Sequence, residues 1–479
     1  MNDLINYVKN NKVTRRRLDG EIRDERGEKL PRRHAYVLLR QYAKDFFLKG
    51  AQPRMIALSG LRGVGKTTLT WQTAYYVYHH LTTKIFFISV DDINRLNATL
   101  YDVIDALEKV LGCPLNELDE RIMLIIDEVH EAAEWQKDLK ILYERGKKVF
   151  VLATGSSALL LHSSPDLASR WTLMKIFPFS FTEFILAKSW MEHPGKNIFP
   201  IKGLGKRLRN TLFYAPTYEE AKEAILSSQR HIQQYFSSIK NLLSESIPAL
   251  MDEYISYHNI ARFLPITNKT LIIDRVLALF ERILLKDIPQ SCPADVGIYN
   301  RLLFRLALSD EINFQTLARD FRIKEAEVEQ LILTLHQAEI LNIFLPHAGI
   351  RPRTGLARKA FFMSPSLRRA LFFRIYGDQL RANLRAKLYE DILAMYLKRT
   401  LSEGVVSYGY GREKNPDFVI ETMDAPVLME IGVGKSSASQ ITRYGPYRFG
   451  VVVNSKSDAL RYDDKKRVLH LPLAWVLLM

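Results

Sequence analysis

The sequence predicts an α/β protein built on a parallel, doubly wound sheet, and three observations carry that expectation. Short apolar runs at 55–58, 84–90, 122–126, 148–153 and 173–177 alternate with stretches of helical periodicity, the pattern of successive βαβ units. The first run leads into a glycine-rich turn at 60–67 and then into an apolar-periodic stretch over 69–77. The third run, Ile122-Met123-Leu124-Ile125-Ile126, is apolar throughout and ends in Asp127-Glu128. A strand buried on both faces reads this way when it delivers carboxylates to the carboxyl edge of the sheet, where open α/β sheets bind ligands.

The turn is Gly60-Leu61-Arg62-Gly63-Val64-Gly65-Lys66-Thr67, followed by Thr68. Glycines at these spacings let successive N–H groups aim inward at a phosphate, at a helix N-terminus whose dipole already favours an anion. Gly60, Arg62, Gly63, Val64, Gly65, Lys66, Thr67 and Thr68 are therefore the expected nucleotide-binding set. Lys66 is placed to reach the β- and γ-phosphates, and Thr67 to offer its hydroxyl to Mg²⁺. Asp127 is expected to hold the same Mg²⁺ through water, and Glu128 to polarise the water that attacks the γ-phosphate of ATP. The fourth run ends in Thr154-Gly155-Ser156-Ser157, so small hydroxyls face this edge. Thr154 is the favoured γ-phosphate sensor and Ser156 the next, unless they only cap the following helix. Ala168-Ser169-Arg170-Trp171 then precedes the last run. Arg170 is a candidate arginine acting on a neighbouring subunit's phosphoryl group, or an ordinary helix-terminal arginine.

Length and composition bound the rest. With 479 residues, 47% of them hydrophobic and 25% charged, the chain is an ordinary globular protein of several domains. Its net charge of +15 makes polyanions the first partner class to expect, DNA above all. Cys113 and Cys292 are far apart and lack metal-ligand spacing, which fits a reducing cytoplasm. The start, Met1-Asn2-Asp3-Leu4, lacks the pattern of a secretory signal, and the apolar stretch 468–479 is too short to span a bilayer and contains His470 and Pro472. No membrane association is expected, and 468–479 reads as a final strand and short helix.

Before the sheet, residues 1–30 are charge-dense and include Arg15-Arg16-Arg17, which reads as a solvated arm or a polybasic contact with nucleic acid. Helical spacing of Tyr36, Leu39, Tyr42, Phe46 and Phe47 gives an amphipathic helix that completes a segment 1–48. The nucleotide-binding core spans 49–190. Residues 191–300 form a helix-rich region, with a basic loop around Lys206, Arg207 and Arg209 and an amphipathic helix over 271–285. Residues 301–380 carry a helix-turn-helix pattern at 312–341, with 341–345 and 358–363 placed to pair as a wing. Its second helix bears Glu325, Glu327 and Glu329, so packing or protein contact suits it better than base reading. Arg351, Arg353, Arg358, Lys359, Arg368 and Arg369 would carry any duplex contact.

From 381 to 479 the pattern is helix, strand hairpin, helix, strand. The helix carries Glu390, and strands at 417–420 and 427–431 bring Asp417 and Glu430 near each other, as a nuclease needs to hold Mg²⁺ beside a scissile phosphate. Asp417, after Pro416, and Glu430 resemble the PD-(D/E)XK pattern. The usual lysine two residues on is Gly432, which leaves Lys435 as a migrated substitute and Gln440 as a polar neighbour.

The loop at 60–67, Ile125-Ile126-Asp127-Glu128, Thr154-Gly155-Ser156-Ser157 and Pro178-Phe179-Ser180-Phe181-Thr182-Glu183-Phe184 together resemble the bacterial and archaeal AAA-type ATPases that carry a C-terminal domain of unknown function. That resemblance implies a RecA-like AAA+ parallel-sheet core, a helical lid, a winged helix and a C-terminal restriction-endonuclease-like α/β domain. It implies an ATPase using ATP and Mg²⁺, with the helix before the sheet covering the adenine, and it allows a homo-oligomer. Coupling of nucleotide state to DNA binding or processing, in defence or mobile-element control, is the first expectation. A regulatory switch or protein-remodelling ATPase is the second, its terminal domain an inactive nuclease-like module that recruits a protein partner. A small-molecule kinase fits poorly with so much accessory sequence.

Overall fold

A computed structural model describes residues 2–155, 170–288, 295–309, 311–347, 358–411 and 415–479. The chain divides into two compact units, Met1–Ile176 and Phe177–Met479.

The first unit is organised by a five-stranded sheet of β1 (Met55–Ser59), β2 (Ile85–Ser89), β3 (Ile122–Asp127), β4 (Val149–Thr154) and β5 (Thr172–Lys175). The strand order is β2-β3-β4-β1-β5 and every neighbouring pair is parallel. Residues 55–58, 122–126 and 149–154 are buried throughout, because helices cover both faces. The register sets Ser89 beside Asp127, Leu58 beside Thr154 and Ser59 beside Lys175, so all five strands end at one edge.

Residues 1–30 are not a solvated arm. They fold into α1 (Asn2–Asn10) and α2 (Arg15–Glu21), and α3 (His34–Lys49) follows. Leu4, Val8, Val13, Leu18 and Ile22 are buried, while most of the intervening charges stay in water. Val13 N donates to Ile85 O at 2.8 Å and Phe87 N to Asn11 O at 3.0 Å, so residues 11–13 cover the edge of β2. The Arg17 guanidinium lies 4.5 Å from the Phe87 ring centre and donates to Asn11 Oδ1 at 2.9 Å. Part of the basic run is therefore a packing element. The crossovers of the sheet contain α4 (Lys66–His80), α5 (Val90–Arg95), α6 (Leu100–Leu111) and α7 (Trp135–Arg145).

The second unit opens with α8 (Phe181–Glu192), α9 (Leu204–Tyr214), α10 (Tyr218–Leu243), α11 (Ile247–Glu253), α12 (Lys269–Arg282) and α13 (Val296–Leu308). Lys206, Arg207 and Arg209 lie on α9 and not in a loop. Next come β6 (Glu311–Ile312), α14 (Phe314–Phe321), α15 (Glu325–Gln337), β7 (Leu341–Phe344) and β8 (Arg358–Phe362), whose strands form an antiparallel sheet in the order β6-β8-β7. Then α16 (Pro365–Tyr376) and α17 (Ala382–Thr400) lead to β9 (Val405–Ser407), β10 (Phe418–Glu421), β11 (Val427–Gly432), α18 (Ser439–Thr442), β12 (Phe449–Asn454), β13 (Arg461–Asp463), β14 (Val468–Pro472) and α19 (Leu473–Val476). This last sheet runs β13-β14-β12-β11-β10-β9, with β9, β10 and β11 antiparallel and β11, β12 and β14 parallel.

The basic cluster expected beside the wing is largely internal. Arg368 is wholly buried: its Nε and Nη2 meet Asp391 Oδ2 and Oδ1 at 2.6 and 2.9 Å, and Nη1 donates to Ala307 O at 2.8 Å. Asp391 Oδ1 also accepts from Phe362 N at 2.8 Å. Arg369 is 2% exposed and meets Asp378 Oδ1 at 2.6 Å, while Arg358 meets Glu329 Oε1 at 2.7 Å. These guanidiniums hold α13, β8, α16 and α17 together and offer little to a duplex. Arg351 and Arg353 lie outside the described residues.

Breaking the central pair leaves a buried cation unmatched, at a cost of about 3–5 kcal/mol. Asp391→Ala is expected to lower the stability of the second unit by that order in urea denaturation. Arg368→Met combined with Asp391→Leu should recover most of the loss.

Candidate functional site

The loop after β1 has the backbone its glycines suggest. Gly60, Gly63 and Gly65 have φ of +146°, +87° and +95°. At Gly60 a Cβ would stand 2.2 Å from Ile176 O, because Ile176 N donates to Ser59 O at 2.8 Å and carries the chain past the loop. No other residue fits there. Gly65 caps α4, so the next amides point out of the helix start. Lys66 is 7% exposed and its Nζ donates to Gly60 O at 2.7 Å. Thr67 is exposed and Thr68 half-buried in the first turn of α4, and Val64 is buried beneath the loop. Arg33, which the sequence reading passed over, donates from Nη1 to Val64 O at 2.5 Å and is itself buried. Its neighbour Arg32 is exposed, and nothing in the run Pro31-Arg32-Arg33-His34 tells the two apart.

Thr154 is 1% exposed and ties the acidic edge together. Its hydroxyl donates to Asp127 Oδ1 at 2.5 Å and accepts from Glu128 N at 3.1 Å. The expected sensor therefore holds the two acids from the neighbouring strand. Burial pushes the Asp127 carboxyl above its usual range; the Thr154 hydrogen bond and the Lys66 charge pull against that, and the charges of Glu128 and Asp91 add to it. Glu128 has a left-handed backbone, φ +55°. Its Oε1 lies 3.9 Å from Arg62 Nη2, and its Oε2 lies 3.6 Å from His130 Nδ1. Lys66, Arg62, Asp127, Glu128 and Thr154 thus share one edge with the loop.

Arg170 is elsewhere. It stands two residues before β5, whose Lys175 and not whose start reaches the loop edge, and its Nη2 is 3.9 Å from Glu144 Oε1 near the end of α7. Within its own chain it is at the opposite edge of the sheet. Ser156 and Ser157 lie outside the described residues.

A second pair of carboxylates meets in the terminal sheet. The register that sets Phe418 opposite Met429 brings Asp417 opposite Glu430 one step along. Asp417 Oδ2 accepts from Ile431 N at 2.8 Å. Glu430 is wholly buried, and among the described residues neither of its oxygens receives a well-directed hydrogen bond. Lys435 Nζ answers it at 3.1 Å and also donates to Gln440 Oε1, whose amide donates to Asn415 O at 2.7 Å. A Cβ on Gly432 would stand 3.2 Å from Lys435 Cδ. The glycine at the usual lysine position leaves the space into which Lys435 folds back. Burial raises the Glu430 carboxyl, Lys435 opposes the rise and Asp417 adds to it. Among the described residues no three His, Cys, Asp or Glu side chains form a metal cage, and none of their helices is long and apolar enough to cross a membrane.

Residues 52–185 match a family model described as AAA domain. The uncharacterized protein MJ1637 of Methanocaldococcus jannaschii is 27% identical over 432 residues, 87% of this chain and 83% of the relative. The uncharacterized protein MJ1544 of the same organism is 24% identical over 147 residues, 31% of this chain and 32% of the relative. Among solved structures, the Thermotoga maritima RuvB Holliday junction branch migration motor aligns at 16% identity with a TM-score of 0.28, covering 65% of this chain and 89% of that one. The Aeropyrum pernix ORC1 protein in complex with DNA aligns at 15% identity with a TM-score of 0.29, covering 72% and 93%.

Asp127's raised carboxyl predicts a pH dependence of stability. In the folded chain the proton stays on to a higher pH than in the unfolded chain, so the stability this group contributes at low pH is lost as pH rises between the two values. Thr154→Val removes the hydrogen bond that opposes the rise. The fall in stability with rising pH, followed by urea denaturation across pH, should then move to higher pH, and an unmoved fall would show that Thr154 does not tune Asp127.

Proposed function

We propose that this chain is a Mg²⁺-dependent ATP hydrolase that couples its nucleotide state to the binding or processing of DNA. The observation that carries the reading is the convergence of Lys66, Asp127, Glu128 and Thr154 on the glycine loop at one edge of a parallel sheet. The donor set suits the group: the Asp127 carboxylate and the Thr67 hydroxyl are the hard oxygen ligands that Mg²⁺ takes together with substrate phosphates. When bound, the metal neutralises charge on the phosphoryl oxygens.

The chain's own residues do the rest. The loop amides and Lys66 bind the β- and γ-phosphates, Thr67 and Asp127 hold the metal, and Glu128 orients and polarises the attacking water. Thr154 keeps the two acids in register through one hydroxyl. Arg170 would act on the site of a second copy, since its own loop lies across the sheet. DNA is the partner that the charge of +15 favours.

The helix pair α14 and α15 with the sheet β6-β8-β7 supports a winged helix, and the terminal unit supports a PD-(D/E)XK-like domain. A cutting reaction there is favoured by one observation, the return of Lys435 over Gly432 to Glu430. Asp417 and Glu430 offer a metal two hard oxygens, with Lys435 sharing Glu430 at 3.1 Å. Lys435 would then steady charge on the scissile phosphate.

Lys66→Ala and Glu128→Gln should each lower ATP turnover by about 100-fold or more. An unchanged rate in either would remove the site. Turnover should rise with added DNA and lose that stimulation steeply between about 50 and 200 mM salt; indifference to every polynucleotide would favour a protein-directed switch. Arg170→Ala and Glu128→Gln, each inactive alone, should recover part of the activity when mixed, because the mixed assembly contains sites with both groups intact. Cutting of DNA with Mg²⁺ or Mn²⁺ should disappear in Asp417→Ala and in Lys435→Ala.

A further inference from the structure

We infer that Arg62 is a clasp on Glu128 that a bound triphosphate opens, so that the water-polarising acid is released only when its substrate is in the loop. The inference rests on the nucleotide site proposed above and adds an element that a glycine-loop pattern does not contain. Position 62 lies between two glycines of the loop, where the pattern accepts any residue.

Three features point to the clasp. Arg62 comes from the loop that receives the phosphates, yet its guanidinium lies 3.9 Å from Glu128 Oε1, with the two side chains only 14% and 22% exposed. Screening by solvent is weak at that burial, so the pair holds better than a surface pair. Second, the other carboxylate oxygen, Oε2, makes no hydrogen bond among the described residues and faces His130 Nδ1 at 3.6 Å, on a side chain only 3% exposed. That oxygen is thus left without a directed partner, and the restraint on the acid comes from Arg62 and from its own backbone. Third, the Glu128 backbone is held in a left-handed conformation at φ +55°, with its amide on Thr154. Such a conformation persists in a non-glycine residue only where its surroundings fix it. Between these restraints the carboxylate is oriented but electrostatically occupied by Arg62.

A guanidinium offered a polyphosphate gains more charge and a second pair of acceptor oxygens than one carboxylate gives. The exchange frees Oε1 for water. It also has a cost: the pair must break before the triphosphate gains Arg62, so the apparent affinity is reduced by the fraction of molecules in which the clasp is closed. Arg62 is thus a positioning residue for Glu128.

The test is a double-variant cycle on equilibrium affinity, with a non-hydrolysable triphosphate analogue and with ADP, both with Mg²⁺. Glu128→Gln is expected to tighten the analogue about fivefold or more, because the clasp loses its anion, and to leave ADP within about twofold. Arg62→Ala should weaken the analogue, and in that background Glu128→Gln should change nothing beyond about twofold. Arg62→Lys, which keeps a cation, should retain part of the coupling. Equal tightening by Glu128→Gln with and without Arg62, or no tightening at all, overturns the clasp. Failure of the site itself reads differently: the native chain would then not bind the analogue, and Lys66→Ala would make no difference. Thermal midpoints of all variants within a few degrees of the native chain establish that the folded protein is being compared.

Discussion

A charge taken out of water must be met by an opposite charge or by several directed hydrogen bonds, and much of this chain's architecture follows from how it meets that demand. In the first unit Arg54 donates to Gly146 O at 2.6 Å and fixes the turn before β4, and Arg33 does the same for the phosphate loop through Val64 O. In the second unit the Arg368–Asp391 pair, fully buried on both sides, ties β8 and α16 to α17. A guanidinium suits each place because its planar donors reach two or three acceptors at once. The basic excess of the sequence is therefore not all surface, and its size overstates the area available to a polyanion.

The two carboxylate sites show the same constraint used in opposite ways. Asp127 is met by a neutral hydroxyl from the adjacent strand, so its charge is only partly compensated and a cation is welcome. Glu430 is met by the full charge of Lys435. A metal at the second site would have to move that ammonium aside or share the carboxylate with it, whereas at the first site the nearby cation, Lys66, acts on Asp127 only through its charge. Burial raises both carboxyls, but different partners oppose the rise: a hydroxyl hydrogen bond first among them at Asp127, and an ammonium at Glu430.

Legibility in the sequence followed the range of the interaction. The strands of the core, the glycine loop and the acid pair are local patterns, and five apolar runs placed the strands to within a residue or two. Gly60 was legible as a glycine and not for its closest neighbour, the Ile176 carbonyl more than a hundred residues on. Charge patterning misled where side chains turn inward: Leu4, Val8, Val13, Leu18 and Ile22 sit among charges dense enough to read as a solvated arm, and Arg368 and Arg369 carry no local sign that Asp391 and Asp378 will meet them. The migrated Lys435 was readable as a candidate because Gly432 and Gly434 flank the path it takes.

The run Pro178-Phe179-Ser180-Phe181-Thr182-Glu183-Phe184 shows why a recurrent motif need not be a reactive one. Ser180 and Glu183 cap α8 reciprocally, the Glu183 carboxylate accepting from Ser180 N at 3.0 Å. The same carboxylate takes Arg399 Nη2 at 2.8 Å, while Arg399 Nη1 donates to Pro178 O at 2.9 Å. Phe179 O accepts from Tyr254 Oη and Asn259 Nδ2, and Phe181 N donates to Tyr396 Oη, which in turn donates to Leu477 O. The polar groups of the run are thus met by one another, by α17 and by the segment after α11. Such a set of partners specifies a serine, a glutamate and fixed aromatic positions as tightly as catalysis would. Asp127 and Glu128 differ from Glu183 in this respect: they are met by one shared hydroxyl and by an ion pair at 3.9 Å, not by a closed set of directed hydrogen bonds.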